Sequence, residues 1–309
     1  MSEKRWCPLF GKCGGCDYIN DSYEYELCVK EETEKKYLSH FGRVNRIIPS
    51  PSLTGFRTKV QAVCGRSRDG KFITGQYRKN SHALVPVRSC ALENGKATAI
   101  KQTIRQMATR FNISPYDEDR DIGDLRHILI RVGEATGETL VALVTSKKDF
   151  PHKADFVSSI HQKNPFVTTI VQIINRKDTN MVIPENAEEF VLFGKGYITD
   201  IICGLKFIIS AKSFFQTNQK QTERLYSIAM EMARLRPTDR VLDAYSGTGT
   251  IGLIAASYGV KEVIGVESNS SAVKDAIKNA ENNSITNATF VNADASKYLK
   301  NAKKEGEKF

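Results

Sequence analysis

The stretch VLDAYSGTGTIG, Val241 to Gly252, constrains the fold more than any other part of the chain. A short β-rich run leads into a loop with glycines at 247, 249 and 252, and an apolar helical pattern, TIGLIAASY, follows at once. Strand, glycine loop and helix in that order open a doubly wound sheet. The glycines allow a tight turn and let a ligand approach the backbone at the helix N-terminus. The alternation then continues through EVIGVE, SAVKDAIKNAENN and ATFVNA. Regular βαβαβ order predicts a parallel sheet of Rossmann-like type. Just upstream, Asn218 is placed to cap a helix that carries Leu225, Ile228, Ala229 and Met232 on one face and stops before Pro237.

Gly247, Gly249 and Gly252 satisfy G-x-G-x-x-G, a pattern that suits a dinucleotide or S-adenosylmethionine equally. Asp243 separates the two. A carboxylate at the end of this strand repels a pyrophosphate held at the helix N-terminus. S-adenosylmethionine has no phosphate and carries cationic ammonium and sulfonium groups, so the same carboxylate favours it. Glu267 ends the second strand, 20 residues after Gly247, where a carboxylate accepts hydrogen bonds from both ribose hydroxyls. Asp294, after the third strand, is a candidate for polar contacts to adenine, and Tyr245 is a candidate to pack against the cofactor.

Upstream of residue 210 the style differs. A polar Glu/Lys-rich segment over 22–40 reads as an exposed helix, and another helix is expected over 95–111. Short β-rich runs fill the rest: FRTKVQAVCG, KFITGQYR, ALVPV, RHILIRVG, GETLVALVT, TTIVQIIN, EFVLFG and DIICGLKFIIS. Glycine and Asx punctuation between them favours antiparallel pairing. The expected organisation is therefore an α+β central domain over 1–210, followed by a Rossmann-like domain over 211–309 that is incomplete.

Cys7, Cys13 and Cys16 form a C-x5-C-x2-C array in CPLFGKCGGC, and Gly14-Gly15 lets adjacent thiolates converge. Cys90, in VPVRSC, is the best candidate for a fourth ligand. Four thiolates suit a [4Fe–4S] cluster or a tetrahedral zinc site. Cys28, Cys64 and Cys203 fall within regular elements and are expected to pack as small apolar groups. The N-terminus lacks a signal peptide and no run of 18 or more apolar residues occurs, so a cytoplasmic protein that does not span a membrane is expected. A formal charge of +10 favours a polyanionic partner.

In combination, CPLFGKCGGC with Cys90, GFRTKVQ, LRHILIR, SFFQTN, VLDAYSGTGTIGL and VIGVESN resemble the RNA 5-methyluridine methyltransferases, in particular the iron–sulfur branch acting on 23S ribosomal RNA. The resemblance implies that Cys7, Cys13, Cys16 and Cys90 ligate a [4Fe–4S] cluster. It also implies that Gln216, Tyr245, Thr250 and Glu267 contact S-adenosylmethionine, with Asp294 a looser match. In that family a cysteine thiolate adds to C6 of uracil, C5 then attacks the methyl group, and a base removes the C5 proton.

Two departures from the family pattern matter. The OB-like RNA-binding domain common before the cysteine array is expected to be absent, which leaves RNA contacts to Arg57, Lys59, Arg78, Lys79, Arg88, Arg126 and Arg131. The nucleophilic cysteine and catalytic base are expected beyond Phe309, so the chain reads as C-terminally truncated and inactive as it stands. The alternative is a non-catalytic RNA-binding iron–sulfur protein with a vestigial cofactor loop.

Overall fold

The computed structural model describes residues 5–176, 181–184 and 186–309. In chain order the elements are α1 (Tyr23–Leu38), β1 (Lys59–Arg66), β2 (Phe72–Tyr77), β3 (Leu84–Pro86), α2 (Gly95–Arg110), β4 (Leu125–Val132), β5 (Thr139–Thr145), α3 (Lys153–Lys163), β6 (Val167–Ile174) and β7 (Glu189–Phe193). They continue with β8 (Tyr197–Ile202), β9 (Leu205–Ser210), α4 (Gln219–Ala233), β10 (Arg240–Asp243), α5 (Thr250–Ser257), β11 (Glu262–Glu267), α6 (Ser270–Asn282), β12 (Ala288–Asn292) and α7 (Ala295–Glu305). Among the described residues no helix is long and apolar enough to cross a membrane.

Two compact units divide the chain. One takes the described residues through Ile130 with Ala142–Pro165 and Gln172–Glu189, the other Arg131–Val141, Phe166–Val171 and Phe190–Phe309.

In the first unit, β1 and β2 pair antiparallel from Val63↔Gly75 to Arg66↔Phe72, and β3 extends the ladder on β2. Val60, Ala62 and Cys64 alternate inward along β1, as period-2 patterning requires. Helix α2 begins where the Asn94 side chain accepts from the Lys96 amide, and its buried stripe is Ala97, Ile100, Lys101, Ile104, Met107 and Ala108. Helix α1 buries none of its residues, as an exposed helix should, and Cys28 is therefore exposed rather than packed. Cys64 is buried as expected.

All eight residues of β4 are buried. This corrects two of the phosphate-contact expectations, because Arg126 and Arg131 do not face solvent. Arg126 lies over the Tyr116 ring at 4.3 Å, donates to Asn175 O and pairs with Glu118.

In the second unit, β8 and β9 form an antiparallel hairpin with Ile202 opposite Leu205. The two turn residues, Cys203 and Gly204, both have positive φ (49° and 78°), the geometry of a type I′ turn. Strands β10, β11 and β12 form the expected parallel sheet in that order, with Asp243 opposite Gly265 and Glu267 opposite Asn292.

Helix α6 lies along β9, where the Ile208 amide donates to Asn279 Oδ1 and the Lys206 amide to Asn283 Oδ1. These side chains satisfy backbone donors that a sheet edge otherwise leaves open.

The inward face of α4 differs from expectation. Gln219, Thr222, Tyr226 and Met230 are buried, while Leu225 and Met232 are exposed. The polar pair is accommodated because Gln219 Nε2 donates to Ile201 O and Thr222 Oγ1 to Asn218 O.

Candidate functional site

The glycine loop joins β10 to α5. Its first anchor is Asp243, whose Oδ2 accepts from the Gly252 amide at 2.9 Å and so ties the end of the strand to the first turn of the helix. The second is Glu267 at the end of β11. Its Oε2 accepts from the Gly247 amide at 3.0 Å, and its Oε1 accepts from the Asn269 amide at 2.8 Å and the Ser268 hydroxyl at 3.2 Å. The Ser246 amide donates to Val266 O, which fixes the middle of the loop against β11.

The carbonyl of Thr248 accepts from Asn279 Nδ2, a contact that sequence reasoning missed. Its only sequence signal was an Asn in register with the buried positions Val273, Ala276 and Ala280 of α6.

Glycine is required at two loop positions for different reasons. Gly249 has φ +81°, and a Cβ there would lie 2.7 Å from the Phe290 ring. Gly247 has φ +53°, and a Cβ there would meet nothing within 4 Å. One glycine thus lets the loop pack on β12, and the other leaves its outer face open.

The loop floor carries negative charge. Burial pushes the Asp243 carboxyl up, the amides of Gly252 and Tyr245 pull it down, and the nearby Glu267 charge pushes it up again. The acid at Asp243, beside the helix N-terminus, disfavours a pyrophosphate there, whereas Glu267 suits the ribose of either ligand.

Residues present fit S-adenosylmethionine on three counts. The open face lies at Gly247, Glu267 Oε2 keeps acceptor capacity beyond the one protein contact it makes, and the buried Ser246 Oγ has no hydrogen-bond partner.

The remaining candidates are arranged less uniformly. Tyr245 is 78 % exposed on the loop. Thr250 opens α5, with its Oγ1 at 3.4 Å from that of Thr248. Gln216 is exposed and hydrogen-bonds the Tyr226 side chain, whose hydroxyl also feels the Asp243 charge. Asp294 caps α7 by accepting from the Lys297 amide at 2.9 Å, so helix capping already employs this carboxylate.

In the first unit, the segment holding Cys7, Cys13 and Cys16 is folded on itself. The Cys7 amide donates to Asn20 Oδ1 and the Cys13 amide to Leu9 O. It also approaches the turn after β2, since a Cβ on Gly14 would lie 3.2 Å from the Lys79 amide nitrogen. Burial pushes the Cys16 thiol up, the neighbouring Cys90, Cys13 and Cys7 push it further, and Arg57 opposes them. Cys90 is likewise raised, mainly by burial. The other three thiols therefore lie within electrostatic reach of Cys16. Among the described residues, however, no group of three or more His, Cys, Asp or Glu side chains is arranged to hold a metal ion.

Comparison with known proteins bears on both regions. Residues 235–309 match the family described as a methyltransferase domain. The chain is 36 % identical over 298 residues to an uncharacterised RNA methyltransferase of Halalkalibacterium halodurans, covering 95 % of this chain and 64 % of that protein. It is 35 % identical over 297 residues to an uncharacterised RNA methyltransferase of Clostridium tetani, again covering 95 % and 64 %. The chain thus spans about two thirds of the length of these relatives. Among solved structures, the tRNA (uracil-54, C5)-methyltransferase of Pyrococcus abyssi in complex with S-adenosyl-L-homocysteine superposes with a TM-score of 0.74. That likeness has 24 % identity, covers 93 % of this chain and 66 % of that one, and shows the fold. The chain is a mixed α/β protein with a Rossmann-like methyltransferase fold.

Proposed function

Taking its likeness to RNA methyltransferases along 95 % of its length as the premise, we propose that the chain is the donor-binding part of an S-adenosylmethionine-dependent RNA methyltransferase acting on uracil C5, with 23S ribosomal RNA as substrate. The observation that carries this reading is the loop floor. Asp243 and Glu267 brace the glycine loop from two strands, and Asp243 sets an acidic group beside the helix N-terminus, which suits a cationic methyl donor better than the pyrophosphate of a dinucleotide.

When bound, S-adenosylmethionine supplies an electrophilic methyl group. This chain's own residues hold and orient it. Glu267 receives the ribose hydroxyls, Gly247 admits the cofactor to the backbone, Asp243 keeps the helix N-terminus in place, and Tyr245, Gln216 and Thr250 line the approach.

Methylation at C5 also needs a thiolate to add at C6 and a base to take the C5 proton. We assign neither role within residues 1–309. Cys203, in the same unit as the loop, is engaged with α4, its amide donating to Glu223. Its thiol is pushed up by burial and by the Glu223 charge, the wrong direction for a nucleophile.

The reading further assigns Cys7, Cys13, Cys16 and Cys90 to a [4Fe–4S] cluster of organising rather than redox function, because pyrimidine methylation has no redox step. Supporting it are the C-x5-C-x2-C spacing and the reach of all three partners to Cys16. Four thiolates are the donor set such a cluster takes.

Deleting the gene is expected to remove a 5-methyluridine from 23S ribosomal RNA, read by mapping modified uridines. Isolated 309-residue protein is expected to transfer no label from methyl-tritiated donor to that RNA. An unchanged uridine map would refute the substrate assignment. Label incorporation by the 309-residue protein would place the nucleophile inside it, against the proposal.

A further inference from the structure

Arg131, near the end of β4, is 4 % exposed and has no acidic partner among the described residues. Burial alone pulls its guanidinium down to about 10, so it stays protonated near neutral pH. Its Nη2 donates to the carbonyl oxygens of Ser213 and Ala211, the latter at 3.4 Å, and its Nε is buried without a partner. A buried cation without a counter-ion is costly, and among the described residues the groups that compensate it are two backbone carbonyls of one short segment.

That segment joins β9 to α4. It is held from its other side by Ser213, whose Oγ donates to Asp275 on α6 while the Ser210 and Ser213 amides each donate to the other's hydroxyl oxygen. Along it, Ala211, Ser213 and Phe215 are buried, while Lys212, Phe214 and Gln216 are exposed. Fixing the carbonyls of 211 and 213 therefore fixes which way the intervening residues and Gln216 point.

We propose that Arg131 is a positioning residue for the donor site, a two-carbonyl clamp that sets the 211–216 segment so that Gln216 is presented to the methyl donor. This rests on the assignment of the donor site above. It also replaces the surface phosphate role that the position of Arg131 in a basic sequence had suggested. Arg131 bonds the carbonyls of Ala211 and Ser213, so its effect on the donor would run through Gln216.

The test uses the 309-residue protein with Arg131→Met and Arg131→Lys, reading S-adenosylhomocysteine affinity by calorimetry and amide hydrogen exchange by mass spectrometry. Arg131→Met is expected to weaken binding about tenfold, the loss of one well-placed contact, and to speed exchange in 211–216 while 243–252 keeps its protection. Arg131→Lys, which retains the charge and one donor direction, is expected to recover most of both losses. Binding by Arg131→Met within about twofold of the parent would overturn the clamp, as would equal loss of protection in the segment and the glycine loop. Should Arg131→Met not fold, Arg131→Gln, which keeps a donor without the charge, decides: affinity within about twofold of the parent would refute the proposal, whereas weaker binding with faster exchange in 211–216 and not in 243–252 would support it. Failure of the unaltered protein to bind S-adenosylhomocysteine would instead refute the donor-site assignment, leaving the exchange data to judge the clamp.

Discussion

Replacing Glu267 by alanine is expected to weaken S-adenosylhomocysteine binding by at least about 100-fold. The carboxylate has two tasks at once. It fixes the loop through the Gly247 amide and the start of α6 through the Asn269 amide, and in the proposed donor site its remaining acceptor position would serve the ribose. Hydrogen bonds to a charged group contribute about 1.5–3 kcal/mol each, so losing one ribose contact together with the bond that fixes the loop costs about 3–6 kcal/mol of binding, or more than 100-fold. The Glu267→Gln variant keeps one acceptor oxygen without the charge, and a loss of about tenfold is expected for it. Calorimetry gives the affinities, and circular dichroism shows whether the variants are folded. An alanine variant that binds within about threefold of the parent would remove Glu267 from the site.

The largest effect on stability is expected at Lys101. This side chain on α2 is 1 % exposed and pairs with Glu93, itself buried. Lys101→Ala leaves the carboxylate in the interior without its cation and opens a cavity beside it. Breaking one partner of a buried pair costs about 3–5 kcal/mol, a large fraction of the total stability of an ordinary domain. Replacing both partners, as Lys101→Met with Glu93→Leu, removes the stranded charge and is expected to recover most of the loss. Urea denaturation followed by circular dichroism measures each. A loss below about 1 kcal/mol for Lys101→Ala would mean that the pair is dispensable. The same pair steadies the cysteine region, since the Glu93 amide donates to Cys90 O and the Asn94 amide to Arg57 O. Loosening it is therefore expected to disturb Cys90 before the rest of the unit.

Elements with a strong local signal were legible in the sequence. The parallel β10-β11-β12 order follows from the alternation after Val241, and α2 falls where a helix was expected, over 95–111. What was missed lacked such signals. Helix α3 starts at His152 in a left-handed conformation with no side-chain cap, and buries only Phe156, Val157 and Ile160. Helix α7 buries only Ala295 and Ala302 among its lysines, so its sequence shows no apolar stripe to announce it. The run DIICGLKFIIS conceals a hairpin because Cys203 occupies the turn position where Asn or Asp usually announces positive φ. On α4, apolar residues suggested one face, but hydrogen bonding lets Gln219 and Thr222 take the interior instead.

The candidate site divides in the same way. Backbone-determined features such as the glycines, Asp243 and Glu267 could be read from spacing. Asn279 and Arg131 act on carbonyls distant in sequence, 31 residues away for Thr248 and 80 for Ala211, and no local pattern reports such contacts. Asp294 was placed correctly after the third strand, yet it caps a helix that the sequence did not reveal.

The central claim is that the anionic glycine loop selects a cationic methyl donor over a dinucleotide. Calorimetric titration of the 309-residue protein with S-adenosylmethionine and, separately, with NAD tests it most directly. Saturable binding of S-adenosylmethionine and none of NAD at the same concentrations is expected. Binding of NAD, or no binding of S-adenosylmethionine by the folded protein, would contradict it.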